Sequence, residues 1–182
     1  MFKFNLISIW ADFRKLLAGL WLGAALFFSF AVAQSAFAVL PSTELAGALV
    51  SRTLAIVNYS GMAIGLILLL SSFILTRKSF LIWIERLLAL VLTLACAAGQ
   101  FYIGWKMQNL RASIGRPLED LAAADPQRLA FNELHQVSVW ILLTAMIAAL
   151  VLFFSIIYKP KEIIQKPAND FDFTKFSQTK KF

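Results

Sequence analysis

The sequence has one cysteine and one histidine among its 182 residues, and this scarcity excludes several kinds of site. The lone Cys96 cannot form an intramolecular disulfide, and in an apolar run a thiol usually serves as a small buried hydrophobe. The lone His135 excludes a haem held by two histidines of this chain. It also disfavours zinc or copper, which need three or four His, Cys or carboxylate ligands. We therefore assign no residue as a metal ligand.

The sequence also lacks the common catalytic fingerprints. It contains no G-x-S-x-G, no H-E-x-x-H, no P-loop, no G-x-G-x-x-G and no carboxylate pair inside its apolar segments. We therefore expect a protein that is not an enzyme.

Charge is missing from four long stretches of the chain, which is 60% hydrophobic overall. These stretches have 19 to 25 residues and contain no Asp, Glu, Lys or Arg: Leu16–Leu40, Leu54–Leu75, Leu87–Trp105 and Val137–Tyr158. A helix needs about 20 such residues to cross a bilayer core. The sequence predicts an all-α membrane protein, a four-span transmembrane helix bundle whose solvent is the lipid bilayer.

The apolar runs divide the chain into three parts. Residues 1–15 form an amphipathic segment that either lies in the membrane interface or extends the first span. Residues 16–158 form the bundle, and residues 159–182 form a basic, Phe-rich cytoplasmic tail. Ala31-Val32-Ala33 resembles a signal-peptidase site, but the apolar run continues to Leu40, so we interpret it as the first span.

Turn residues mark the connections between the spans. Residues 76–80 make a tight connection, which predicts that the second and third spans are antiparallel neighbours. Pro41 begins a turn that is followed by a short helix. Residues 106–130 form the longest loop, broken around Gly115. Asp125-Pro126 has the pattern of an N-cap followed by proline at the first helical position, so a fourth helix begins there.

The positive charge is concentrated on one side of the predicted membrane. With four spans both chain ends share a side with residues 76–86. Because basic residues favour the cytoplasmic side, both termini are expected in the cytoplasm of a bacterial inner membrane. The charge then serves topology and contact with anionic lipid, and nothing indicates nucleic-acid binding. Twelve of the 17 basic residues are on this side: Lys3, Arg14, Lys15, Arg77, Lys78, Arg86, Lys159, Lys161, Lys166, Lys175, Lys180 and Lys181.

Small residues recur at the spacing that helix packing in membranes requires. Gly19 with Gly23, and Gly61 with Gly65, form two G-x-x-x-G pairs, which let helix backbones approach closely. These glycine pairs either pack the four helices of the bundle together or contact helices of other membrane subunits or of a second copy of the chain.

Polar side chains inside the spans share one depth, within about two helical turns of the predicted outer boundary. Such groups are costly in lipid and often functional. They either hydrogen-bond between helices or form a small-molecule, proton or metal site open to the outside. Whether a cofactor is present is left open, and His135 remains a candidate single axial ligand to a haem or pigment. The candidate ligand-binding residues are Gln34, Asn58, Gln100, Tyr102, His135 and Ser138.

Short motifs in the first and fourth spans resemble a known family. Leu20-Trp21-Leu22-Gly23 with the following Phe27-Phe28 and Val32-Ala33, Gly47 after Leu45-Ala46, and Phe131-x-x-x-His135-x-x-Ser138 are similar to the domain of unknown function 4149 family. That family includes the transmembrane protein 205 group. The resemblance covers about residues 16–155 and implies a four-helix membrane protein of poorly defined activity.

Three functional hypotheses follow. The first is a non-enzymatic accessory or structural subunit of a larger membrane complex, based on the glycine pairs, the missing catalytic groups and the Phe-rich tail. The second is a stand-alone protein that handles a small solute, a proton or a metal through the outer polar cluster. The third is attachment of a pigment or haem through His135.

Overall fold

A computed structural model describes residues 6–74 and 80–157. Expectations about residues 1–5, 75–79 and 158–182, including the Phe-rich tail, lie outside the described residues. The described elements are α1 (Leu6–Phe27), a π-helical segment (Phe28–Val32), α2 (Ala33–Val39), α3 (Thr43–Ile74), α4 (Phe80–Ala97), a second π-helical segment (Ala98–Gly104), α5 (Trp105–Ile114), a 3₁₀ turn (Leu118–Asp120) and α6 (Pro126–Ile157).

Within residues 6–74 and 80–157, four helical stretches are long and apolar enough to cross a membrane, which confirms the predicted all-α four-span bundle. They are Ile9–Val39, Thr43–Phe73, Phe80–Ile114 and Pro126–Ile157, and we call them spans 1 to 4. Large apolar side chains cover their outer faces, and many of them are more than half exposed. Such a surface needs lipid as its solvent, so the chain is an integral membrane protein.

The four spans enclose two adjoining clusters of buried side chains, and Ile64 packs against both. α4 packs against α3 on one side and α6 on the other, while α1 packs against α6 and α3. We call the end of the bundle that holds residues 40–42 and 115–125 the loop end. The end where α1 begins and α6 finishes is the terminal end.

The centre of the core depends on a close approach of three helices. The Trp21 side chain is 1% exposed, and its indole N–H donates a hydrogen bond to the carbonyl of Val57 at 2.9 Å. A Cβ at Gly61 would lie 2.7 Å from the indole nitrogen and 2.5 Å from Sγ of Cys96. Only glycine therefore leaves room for α1 and α4 at this point of α3.

The other glycines of the two G-x-x-x-G pairs have different surroundings. Gly65 faces Thr93 of α4 at very short range, and Gly19 faces the ring of Phe153 in α6. Gly23 meets no atom within 4 Å and lies exposed on the outer face of α1. Three of the four glycines thus pack within the bundle, and the packing expected at Gly23 is not made within the described residues.

Several helix boundaries follow the local signals of the sequence. Asp125 Oδ1 accepts the backbone N–H of Gln127 at 2.8 Å, and α6 begins at Pro126, as predicted. Gly115 has φ +65°, a left-handed conformation that ends α5.

Two expectations about the connections were wrong. The segment after Pro41 is not a separate short helix, because α3 continues without a break from Thr43. Residues 106–114 are not a loop, because the third span continues through α5 to Ile114. In both cases adding residues to an existing helix costs little compared with starting a new one.

An ion pair lies between diagonal helices at the terminal end. Arg14 of α1 donates from Nη2 to Oε2 of Glu85 in α4 at 2.9 Å, and the two side chains are only 4% and 13% exposed. Nearby, Arg86 donates to the hydroxyl and the carbonyl of Ser72 in α3. The sequence alone suggested that these arginines serve topology, but Arg14 and Arg86 also join helices.

Replacing Glu85 by glutamine should destabilise the bundle strongly. The substitution leaves Arg14 buried without its countercharge, and breaking a buried pair in this way costs about 3–5 kcal/mol. Unfolding of the detergent-solubilised protein, followed by tryptophan fluorescence, measures the effect. The control Lys15→Gln breaks the more exposed pair with Asp12 and should cost less than about 1 kcal/mol. Equal losses in both variants would contradict a special role for the Arg14–Glu85 pair.

Candidate functional site

A cavity of about 640 Å³ opens at the loop end between spans 1, 2, 3 and 4. This volume is within the range of about 300–1,000 Å³ that is typical of small-molecule sites. The residues around it are Phe28, Ser29, Phe30, Ala33, Gln34, Phe37, Gly47, Val50, Ser51, Leu54, Met107, Arg111, Phe131, Asn132, His135, Ser138, Val139, Leu142, Leu143 and Met146.

Polarity changes along the length of the cavity. On α6 the polar lining residues Asn132, His135 and Ser138 lie towards the loop end, and Leu142 and Met146 follow towards the bundle centre. Asn132 and Met146 are about 20 Å apart, at about 1.5 Å rise per residue. The cavity therefore has a polar mouth at the loop end and an interior that is apolar except for Ser29, whose hydroxyl donates to the carbonyl of Ala25.

Arg111 is the positively charged residue of the mouth. Its guanidinium lies over the ring of Phe131, 5.0 Å from the centroid. It also lies against the backbone of α3, because a Cβ at Gly47 would be 2.8 Å from Nη2. Among the described residues, the guanidinium of Arg111 makes no hydrogen bond or ion pair, although Glu44 acts on it electrostatically. Most of its five N–H donors are thus available to a ligand.

Three of the six candidate residues come together at this cavity. His135 and Gln34 line the mouth from α6 and α2 with exposed side chains, and Ser138 lies one turn deeper, half-buried. Within the part of the chain that the structure describes, no group of three His, Cys, Asp or Glu side chains could hold a metal ion.

The other three candidate residues lie elsewhere. Asn58 is 5% exposed and packs against Gly99 in the core, one turn beyond Leu54 of the cavity wall. Tyr102 is exposed, and its hydroxyl accepts a hydrogen bond from Nζ of Lys106 at 2.7 Å. Gln100, like these two, does not line the cavity. A shared depth therefore did not mean a shared face of the bundle.

The cavity also opens sideways towards the membrane. Phe30 and Phe37 of span 1 and Val139 and Leu143 of span 4 line the cavity, yet all four are exposed on the outer surface. α2 packs against α3, which draws the loop end of span 1 towards span 2. The side of the cavity between spans 1 and 4 is thus lined by residues that also face the lipid, which indicates a lateral opening.

Both π-helical segments border this region. Phe28–Val32 supplies Phe28, Ser29 and Phe30 to the wall, and Ala98–Gly104 immediately precedes the helix that carries Met107 and Arg111. A π-helical turn is wider than an α-turn and re-aims the side chains around it, and such turns are frequent at functional sites.

Sequence reasoning missed Arg111, Ser51 and Asn132 as residues of the site. Arg111 lies beyond the apolar run of the third span, so the sequence assigned it to a loop. In the structure the helix continues to Ile114, and Arg111 therefore lies at the cavity. One local signal could have indicated that the helix continues through Arg111. The helix-ending residue Gly115 comes after Arg111 and not before it.

The chain belongs to the family described as a domain of unknown function, DUF4149, whose model matches residues 16–116. This confirms the resemblance seen in the first span and extends through span 3. The His135–Ser138 motif lies beyond the matched residues. Comparison with curated proteins and with solved structures finds no match.

The thiol of a Ser138→Cys variant should be accessible from the loop end. Ser138 lines the open cavity, whereas the native Cys96 is buried in the core and serves as an internal control. Labelling of the purified protein with a small charged methanethiosulfonate, followed by intact mass, should be fast in the variant and slow in the original chain. Slow labelling of both proteins would show that the cavity does not admit the reagent.

Proposed function

We propose that this protein binds a small amphiphilic molecule in the loop-end cavity and exchanges it with the membrane. The observation that carries the proposal is the cavity itself, with its polar mouth, apolar interior and sideways opening between spans 1 and 4. This is the small-solute form of the second hypothesis.

The distribution of side chains matches an amphiphile better than a polar solute or an ion. A hydrophilic solute gains nothing from Phe28, Leu142 and Met146 in the interior, and an ion pathway needs polar groups along its length. Below the mouth the α6 wall is apolar for about two turns. An apolar chain buried there gains roughly 0.8 kcal/mol per methylene when it leaves water.

Photolabelling in lipid nanodiscs tests the proposal. The protein is reconstituted in phosphatidylcholine, and photoreactive palmitic acid or the matching alcohol is added, irradiated and mapped by peptide mass spectrometry. We expect Leu142 and Met146 of the interior to be labelled more strongly than the lipid-facing Phe154. Unlabelled palmitate should suppress the interior labelling.

Matched variants separate the cavity from the rest of the surface. Ser138→Phe fills the cavity and should remove the interior labelling, whereas Thr144→Phe places the same ring on an exposed face of the same helix and should not. If neither amphiphile labels interior residues above the lipid-facing level, the proposal is wrong.

An accessory role in a larger complex is a second candidate, and the surroundings of Gly23 favour it. Gly23 lies exposed between Leu20 and Phe27, both of which are about two-thirds exposed on the same face of α1. A glycine on a lipid-facing apolar face permits a close helix contact, and none of the described residues makes that contact. A partner subunit's helix or a second copy fits this face.

Replacing Gly23 by leucine tests the accessory role. Because Gly23 faces open space, the substitution should leave the unfolding midpoint unchanged while it blocks a close helix contact. Native mass after gentle extraction should fall from a complex to one 20.3 kDa chain. A single chain already in the original protein would contradict the accessory role. A visible absorbance band in the same preparation would instead support a haem or pigment on His135.

The remaining parts of the proposal rest on the sequence. The missing catalytic motifs support a protein that is not an enzyme. The excess of basic residues near the chain ends supports a cytoplasmic terminal end in a bacterial inner membrane. With that orientation the cavity opens in the outer leaflet and receives its ligand from there.

A further inference from the structure

The geometry of Arg111 points to the head group: we infer that the cavity selects an amphiphile with a single anionic head, a carboxylate or phosphate. This inference rests on the proposed function and names the class of its ligand. It comes from the charge balance of the mouth, the position of the guanidinium and the apolar interior beneath it.

The charge balance of the mouth is positive. Arg111 and His135 are the titratable groups among the described lining residues, and no Asp or Glu is part of that lining. Glu44 is the acidic residue that acts on Arg111, but it is exposed and forms no ion pair with it among the described residues. An anion at the mouth therefore meets a cation that is not already neutralised.

The guanidinium of Arg111 is held between neighbouring groups and does not extend freely into solvent. The Phe131 ring and the backbone at Gly47 flank it, and Arg111 is partly buried. Neither the Phe131 ring nor the backbone at Gly47 accepts a hydrogen bond from the guanidinium, so its N–H groups remain available for hydrogen bonds to a ligand. A planar fork binds carboxylate or phosphate oxygens in pairs, with charge-assisted hydrogen bonds that are about twice as strong as neutral ones.

The polar neighbours of Arg111 complete a head-group site. Asn132, His135 and Gln34 line the same mouth and can donate hydrogen bonds to further oxygens of the head. An apolar chain attached to that head enters the interior along Ser138 and Leu142. Free phosphate or acetate would use the mouth alone and leave the interior without an occupant.

The nanodisc photolabelling assay tests the inference with matched head groups and matched arginines. Photoreactive palmitic acid should half-saturate the interior at a concentration about tenfold lower than the matching alcohol, since charge-assisted hydrogen bonds are about twice as strong as neutral ones. Arg111→Gln should abolish this preference. The control Arg52→Gln removes an exposed arginine of span 2 that does not line the cavity, and it should retain the preference.

Other outcomes separate this inference from the proposed function. Equal labelling by acid and alcohol would overturn the anionic head and leave amphiphile binding intact. A preference that survives in Arg111→Gln would overturn the role of this arginine. Protection by inorganic phosphate or acetate at the concentrations at which palmitate protects would assign the site to a free anion and overturn the amphiphile. Absence of interior labelling by either probe would overturn the proposed function as well.

A third variant tests the geometry. Gly47→Ala places a methyl group where the Arg111 guanidinium now lies, and the end of that flexible side chain can move away. The variant should fold with an unchanged unfolding midpoint but lose most of the tenfold preference for the acid. An unchanged preference in the folded variant would show that the position against Gly47 does not matter.

Discussion

The rest of the bundle depends on the space that Gly61 leaves for Trp21 and Cys96. Because lipid tails are as apolar as the side chains, burial of apolar surface does not drive helices together in a membrane, and close packing must do so. Gly61 brings α3 against α1 and α4 at one level, and the indole N–H of Trp21 fixes that level by its hydrogen bond to Val57. Gly65 extends the close approach of α3 and α4 towards the terminal end.

The two ends of the bundle consequently differ. Towards the terminal end the helices are held by close packing and by the ion pair of Arg14 with Glu85. Towards the loop end α2 packs against α3, and the π-helical segments change the direction of side chains in spans 1 and 3. Spans 1 and 4, which pack together along α1, enclose a cavity beyond it. One sequence thus makes a closely packed half and an open half.

The sequence predicted those features of the fold that depend on composition and on local signals. Length and apolarity predicted the four spans, and Asp125 with Pro126 predicted the start of α6, because each signal acts within a few residues. The candidate site was predicted only in part. The depth of a residue in the membrane can be counted along its span. Which face of that span points into the bundle depends on the neighbouring helices, which the sequence does not give. His135 and Tyr102 share a depth, yet only His135 lines the cavity. Arg111 was missed because its role depends on Gly47, which is distant in sequence.

Arg14 and Arg111 show two ways in which this bundle accommodates a charge at its edge. Removing an ion from water carries a cost that a partner must offset. Arg14 is almost fully buried, and the carboxylate of Glu85 offsets that cost, so its charge is committed to structure. Arg111 is only partly buried, and an aromatic ring and a backbone flank it without neutralising it. Its remaining donors face a cavity with an apolar interior. A charge that is paired with a buried countercharge is committed to the fold. A positioned charge without a countercharge can recognise an anion, and the open half of the bundle contains this second kind.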